Sequence, residues 1–128
     1  MSQVEIVRRV YEAGAAQDLE RLLDLADTAC VITQDPSLPW GGRHVGHQGL
    51  TAFLSARFGT TDAEVSTEAL FEADGHVIQC GRTRGAVRTN GTTFELPDVH
   101  TWTVRNNKVV AAHFATDTPA MLRALEGV

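Results

Sequence analysis

Three turn signals spaced sixteen residues apart, Asp74-Gly75, Asn90-Gly91 and Asn106-Asn107, dominate the second half of the chain. Each lies between β-rich runs that alternate apolar and polar residues, the pattern of a strand with one buried face. Tight connections join antiparallel neighbours, so the stretch after Gly59 predicts a meander of four long strands. Strands of this length twist and curve in a sheet, and Gly81 and Gly85 sit where a bend is expected. A curved sheet has a concave face, and something must cover it.

The first half supplies helices for that purpose. Ser2-Gln3-Val4-Glu5 has the form of a capping box, in which serine and glutamate satisfy each other's free amides. Behind it Val4, Val7, Tyr11 and Gly14 share one helical face, with Ile6 and Val10 beside it. Leu19, Leu22, Leu23 and Ala26 mark a second short helix, and Ala29–Gln34 reads as a strand ended by Asp35-Pro36. Residues 36–49, rich in proline and glycine, read as a loop. A third helix carries Leu50, Phe53, Leu54 and Phe58, and Thr118-Pro119 opens a last one through Leu122 and Leu125 to Gly127. This order predicts an α+β domain spanning residues 1–128: a curved antiparallel β-sheet with the N-terminal helices packed on its concave face, a cystatin-like cone. A cone closed in this way keeps an apolar interior that side chains need not fill.

Several functions are excluded or disfavoured by the chemistry available. The 128 residues are 43% hydrophobic and 21% charged, ordinary usage for one globular domain. No apolar run approaches the ~18 residues of a membrane span, and no secretory leader is evident, so a cytoplasmic protein is expected. Cys30 and Cys80 sit singly in apolar runs and read as reduced core residues. The net charge of -5 comes with no basic stripe, which argues against nucleic acid. No phosphate loop, dinucleotide fingerprint or nucleophile elbow is present, so no cofactor is expected. His44 and His47 have a metal-like spacing but lack an evident third ligand, so no metal is expected either.

The informative residues are polar ones that fall on apolar rows. In Thr93–Val104 the inward row is Phe94, Leu96, Asp98, His100, Trp102 and Val104, which carries an acid and an imidazole. Burying ionisable groups is costly unless they are paired or used. The alternative is that Pro97 shifts the register, leaving Asp98 in solvent and His100 as a satisfied core residue. Asp35 sits where its strand leaves the sheet. Beside an apolar pocket its pKa would rise and suit a general base; otherwise Asp-Pro opens an Asx-type turn. Tyr11, the only tyrosine, faces inward and either donates into the cavity or bonds a nearby carbonyl. Arg82, Arg84 and Arg88 share one face of their strand, opposite the smaller and more apolar row Val77, Gln79, Gly81, Thr83, Gly85 and Val87, so they are expected outside or at a dimer contact.

Together these segments resemble the nuclear transport factor 2-like superfamily, in its SnoaL-like and steroid Δ-isomerase-like branch. The resemblance is carried by Gln17-Asp18-Leu19, Gln34-Asp35-Pro36, Gly42-Arg43-His44-Val45-Gly46, and the closing hairpin from His100-Thr101-Trp102-Thr103-Val104 to Lys108-Val109-Val110. It implies that Asp35 stands where ketosteroid isomerases carry their base, a system that is itself a standard example of tuned carboxylates. It places His100 where those enzymes carry a protonated aspartate, and where SnoaL-like cyclases carry histidine. It puts Tyr11 one residue from the isomerase tyrosine. Phe114 stands where the cyclases and epoxide hydrolases of this fold carry an acid, so those two chemistries lack one of their groups.

The expected function is proton abstraction from a small hydrophobic carbonyl compound, of the isomerase or cyclase type. Asp35 would be the base, with His100 and Tyr11 holding the enolate oxygen. Trp40, Phe53, Asp98, Trp102 and Phe114 would contact the substrate. The alternative is a non-catalytic module that binds a small hydrophobic ligand or acts as a dimeric partner. Convergence of Asp35 and His100 across a pocket favours the enzyme, and Asp35 in solvent favours the binder. The resemblance also implies a homodimer formed through the outer sheet face.

Overall fold

The computed structural model describes residues 1–127. Helices α1 (Gln3–Ala15) and α2 (Leu19–Leu25) lead into strand β1 (Ala26–Gln34), a short β2 (Gly42–Val45) and helix α3 (Gly46–Thr60). The meander follows as β3 (Thr61–Ala73), β4 (His76–Val87), β5 (Thr93–Arg105) and β6 (Lys108–Thr116), and α4 (Thr118–Glu126) closes the chain. All six strands form one sheet in the order β2-β1-β6-β5-β4-β3. Every pairing is antiparallel except β1 with β6, which is parallel. The expected α+β cone is present, with that one parallel pair joining the N-terminal half to the meander.

Two of the three turns are two-residue hairpins. Asp74-Gly75 and Asn106-Asn107 both have positive φ at both positions, which matches the right-handed twist of the flanking strands. The third is longer. Residues 88–92 link β4 to β5, and Asn90 does separate work there: its amide donates to the carbonyls of Ala124 and Leu125 at the end of α4. A helix end with unpaired carbonyls is thereby capped by a turn of the sheet.

Local differences from the sequence-based expectations have local causes. The capping box forms only in one direction: Ser2 accepts from the Glu5 amide, while the Glu5 carboxylate pairs with Arg8 at 2.8 Å. At α4 the cap is Asp117 and not Thr118, because the carboxylate reaches the Ala120 amide at 3.1 Å. The expected loop 36–49 contains β2 and the start of α3. Gly46, at φ +71°, lets the chain pass directly from β2 into the helix without a loop. Cys30 is buried in the core, but Cys80 is half-buried and lies on the outer row of β4, between Ala69 and Val99.

Curvature is concentrated at β3 and β4. A Cβ on Gly81 would come within 2.1 Å of the Ser66 carbonyl oxygen and 2.5 Å of Gln79 Oε1. The sheet bends hard enough there that only glycine fits, and β3 shifts register between Thr67 and Ala69 beside it. The core lies between the concave face and the helices. Ile6 and Val7 of α1 and Leu50, Phe53 and Leu54 of α3 are buried against Ile32, Val77, Trp102, Ala112 and Phe114.

Candidate functional site

The inward row of β5 keeps its parity through Pro97. Gly81 pairs with Asp98, Gln79 with His100 and Val77 with Trp102, without a register shift. Pro97 lies one residue past the last rung that β5 shares with β6, at Asp98–Thr116, so one edge of β5 is free there and a missing amide proton is tolerated. Asp98 and His100 are therefore both interior, 3% and 4% exposed. The register-shift alternative is ruled out.

These two groups belong to a chain of polar side chains crossing the concave face. Thr83 Oγ1 donates to Asp98 Oδ2 at 2.5 Å, and Gln79 Nε2 donates to Asp98 Oδ1 at 2.7 Å. Nε2 of His100 lies 3.9 Å from Asp98 Oδ1. At the other end, Trp102 Nε1 donates to the Tyr11 hydroxyl at 2.9 Å, and that hydroxyl lies 2.6 Å from His100 Nδ1. Indole N–H is only a donor, so the phenol oxygen accepts from Trp102; the Gln79 amide nitrogen, also only a donor, faces His100 Nδ1 at 3.3 Å, so Nδ1 accepts and the phenol proton goes to it. That assignment makes Nδ1 the acceptor and leaves the imidazole proton on Nε2, towards Asp98.

The environment keeps this chain uncharged at its centre. Burial drives the His100 pKa down to about 4, against an upward pull from Asp98, with Arg57 and His113 adding to the fall. Burial also pushes the Tyr11 phenol far above its ordinary value, so it remains a proton donor. Phe114, the cross-strand partner of His100, sets its ring edge-on at 4.8 Å. An apolar ring thus stands where the cyclases of this fold were expected to hold an acid, and Asp98, two residues before His100 on its own strand, provides a carboxylate from another side.

A pocket of about 130 Å³ that reaches the surface beside the exposed Ala15 and Glu64 lies under this chain, bordered by Tyr11, Phe53, Arg57, His100, Trp102 and Phe114 among others. A smaller lobe of about 30 Å³ is bordered by Gln34, Thr83, Asp98 and Thr116, and shares Arg57, His100 and Phe114 with the first. The larger lobe has room for roughly one aromatic ring, since an apolar cavity of ~150 Å³ takes benzene.

The expected site residues are therefore partly gathered and partly not. Tyr11, Phe53, His100, Trp102 and Phe114 border the main lobe, and Asp98 the smaller one. Trp40 borders only the smaller lobe and donates its Nε1 to Gln34 Oε1 at 2.9 Å. Asp35 is a correction. It lies in solvent, not beside the pocket, because its carboxylate accepts from the Ser37 amide at 2.9 Å and the Ser37 hydroxyl at 2.5 Å in an Asx turn. Those bonds hold its pKa below the usual carboxylate value, the reverse of the shift expected of a base. The histidine pair His44 and His47 bonds backbone carbonyls, those of Trp40, Gly41 and Ala26, and no metal-holding cluster occurs among the described residues. In the arginine row Arg82 and Arg84 lie on the outer side of β4 as expected, and only Arg88 is corrected. Arg82 pairs with Glu95 at 3.0 Å, but Arg88 lies beyond β4 and donates to the Phe58 carbonyl.

Three functional candidates escaped the sequence reading. Gln79 and Thr83 stand on the inward row of β4, where they are the only non-carbon side chains in a row otherwise apolar. Arg57 stands seven residues after Leu50 and four after Phe53, so it falls on the buried stripe of α3. A cation on that stripe was the available signal.

The sequence profile of the SnoaL-like domain matches residues 7–112. A search of curated proteins gives no match. Among solved structures, an NTF2-like protein from Burkholderia xenovorans is 28% identical, with TM-score 0.83, over 95% of this chain and 94% of that one. TerC, co-crystallised with polyporic acid, is 23% identical with TM-score 0.86, over 96% and 97%. A candidate SnoaL-like polyketide cyclase from Jannaschia sp. is 21% identical with TM-score 0.85, over 98% and 92%. At these identities the last two share the fold, and none of the three assigns a reaction. With its profile matched over most of its length and its cone intact, the chain belongs to the SnoaL-like domain family of the NTF2-like superfamily.

Proposed function

We propose that this protein binds one ring of a small, mostly apolar carbonyl compound in the main lobe and moves a proton at the carbon beside the carbonyl, with His100 as the base. The observation that carries this reading is the bonded chain from Trp102 and Tyr11 to His100, with Asp98 behind it, on the wall of an apolar cavity. His100 is uncharged at neutral pH and can accept a proton. Tyr11 keeps its proton and can donate a hydrogen bond.

In this mechanism the substrate oxygen takes the Tyr11 hydrogen bond in place of His100, which leaves Nδ1 with only the longer contact to the Gln79 amide, at 3.3 Å. Nδ1 then removes the proton from the adjacent carbon, and the C–H electron pair enters the enolate, whose oxygen is held by Tyr11. The imidazolium formed faces Asp98, whose charge offsets part of the cost of a buried cation. Return of the proton to another carbon completes an isomerisation; attack of the enolate on a second carbonyl, whose oxygen takes up the proton held by His100, completes a cyclisation. A positioned base contributes about 10²–10⁴-fold, and one oxyanion donor about 10²–10³-fold. TerC, co-crystallised with polyporic acid, supports a small ligand for this fold.

A second reading is favoured by a specific observation: Asp35 lies in solvent, which was the expected sign of a non-catalytic binder. Proton exchange separates the two. Cyclohexanone and 2-cyclohexenone incubated in D₂O with the protein should gain deuterium beside the carbonyl faster than in buffer, followed by proton NMR. His100→Gln should lower the enzymatic rate about a hundredfold or more. Binding without exchange above the buffer rate makes the protein a binder.

Homodimerisation through the outer sheet face belongs to the same proposal. Phe71 and Val99 are 44% and 45% exposed on that face, with Cys80 between their rows.

A further inference from the structure

Arg57 is half-buried on α3, one turn beyond the buried Phe53 and Leu54. The residue borders both lobes, as do His100 and Phe114. Among the described residues it makes neither an ion pair nor a side-chain hydrogen bond. Asp98 acts on it only through space, and that carboxylate already accepts from Gln79 and Thr83. A guanidinium presents five N–H donors in a flat fork that matches a carboxylate, and leaving them unpaired where the half-buried side chain is partly shielded from water is costly. Glu64 also borders the main lobe, but it is exposed on the edge strand, where water and salt screen it.

We infer that Arg57 anchors a carboxylate, and that the compound taken by this cavity is a small single-ring organic acid. The inference rests on reading the cavity as a ligand site and adds the chemical class of the ligand. The ring fills the 130 Å³ lobe against Phe53, Trp102 and Phe114, and the acid group lies at its junction with the smaller lobe, within reach of the guanidinium. That placement sets the ring beside Tyr11 and His100, which border the same lobe.

The test is calorimetric binding of benzoate against its neutral isostere benzamide, with toluene as a probe of the apolar lobe alone. The wild-type protein should prefer benzoate to benzamide by about ten- to a hundredfold, the range of a hydrogen bond to a charged group. Arg57→Met should keep its benzamide affinity and lose the preference, while Arg57→Lys should keep part of it. Retained benzamide binding also shows that the Met variant is folded. Equal affinities in the wild type, or a preference that survives in Arg57→Met, overturn the inference and leave the cavity reading intact. A fall in both affinities by the same factor in Arg57→Met makes Arg57 a through-space partner of Asp98 and overturns it too. Toluene binding without benzoate binding has the same consequence. Failure of all three probes removes the cavity as a ligand site, and the inference with it.

Discussion

The Tyr11 hydroxyl lies 2.6 Å from His100 Nδ1 and 2.9 Å from Trp102 Nε1, so one oxygen ties α1 to a central strand 89 residues further on. The contact belongs to the fold and to the candidate site at once. Removing it should therefore disturb both.

Tyr11→Phe leaves the Trp102 N–H without an acceptor and His100 Nδ1 with only the Gln79 amide at 3.3 Å. Buried polar groups left unpaired cost about 1–3 kcal/mol, so urea unfolding should show a loss in that range. Trp102→Phe removes the same bond from the other end. The double variant should lose less than the sum of the two, since both break one interaction.

Stability should depend on pH through His100. Its native pKa of about 4 lies below the unfolded value near 6.5, so between these pH values the unfolded chain binds a proton that the native chain does not. That contribution is complete above pH 6.5 and is lost as the pH falls towards 4, by at most about 1.4 kcal/mol per pH unit. Urea midpoints measured from pH 7 to 4.5 should fall accordingly, and more steeply than those of His100→Gln.

Gly81→Ala should be among the most harmful small changes. The new methyl would meet the Ser66 carbonyl at 2.1 Å and push Gln79 off Asp98. Overpacking of this kind costs about 1–3 kcal/mol. Gly59, in α3 with nothing within 4 Å of its missing Cβ, is the control. Alanine there should be neutral or stabilise by about 0.5–1 kcal/mol. Similar losses at both positions would contradict the close approach of β3 and β4.

Asp35→Asn should change neither ring-ketone exchange nor benzoate affinity by more than about twofold, well inside the effect of losing a positioned base. The carboxylate faces solvent and bonds its own turn, and asparagine keeps the oxygen that Ser37 uses. A tenfold or larger loss of exchange would return Asp35 to the mechanism.

What the sequence made legible was whatever depends on short range. The hairpin turns, the parity of β5 and the apolar stripe of α1 all follow from spacing within a few residues. The inward placement of Asp98 and His100 came from that parity alone. Less legible were features that need a distant partner. β2 is four residues long and exists because Val45 pairs with Val31; the parallel rung between β1 and β6 joins Ile32 to Ala112. Asp35 was read from its place at a strand exit, but Ser37, two residues on, decided which way its carboxylate turned. Arg57 stood in plain view on an apolar stripe, yet its meaning depends on Asp98 and His100 lying opposite, which only the closed cone brings about.

The central claim, that an uncharged His100 inside the Tyr11–Asp98 chain removes a proton from a ring compound in the cavity, is tested most directly by the pH profile of ketone deuteration. Its kcat/KM should be half-maximal near pH 4, the value set by burial of His100, and level from about pH 5.5 to 8. An inflection at the ordinary histidine value near 6.5, or exchange no faster than in buffer, would contradict it.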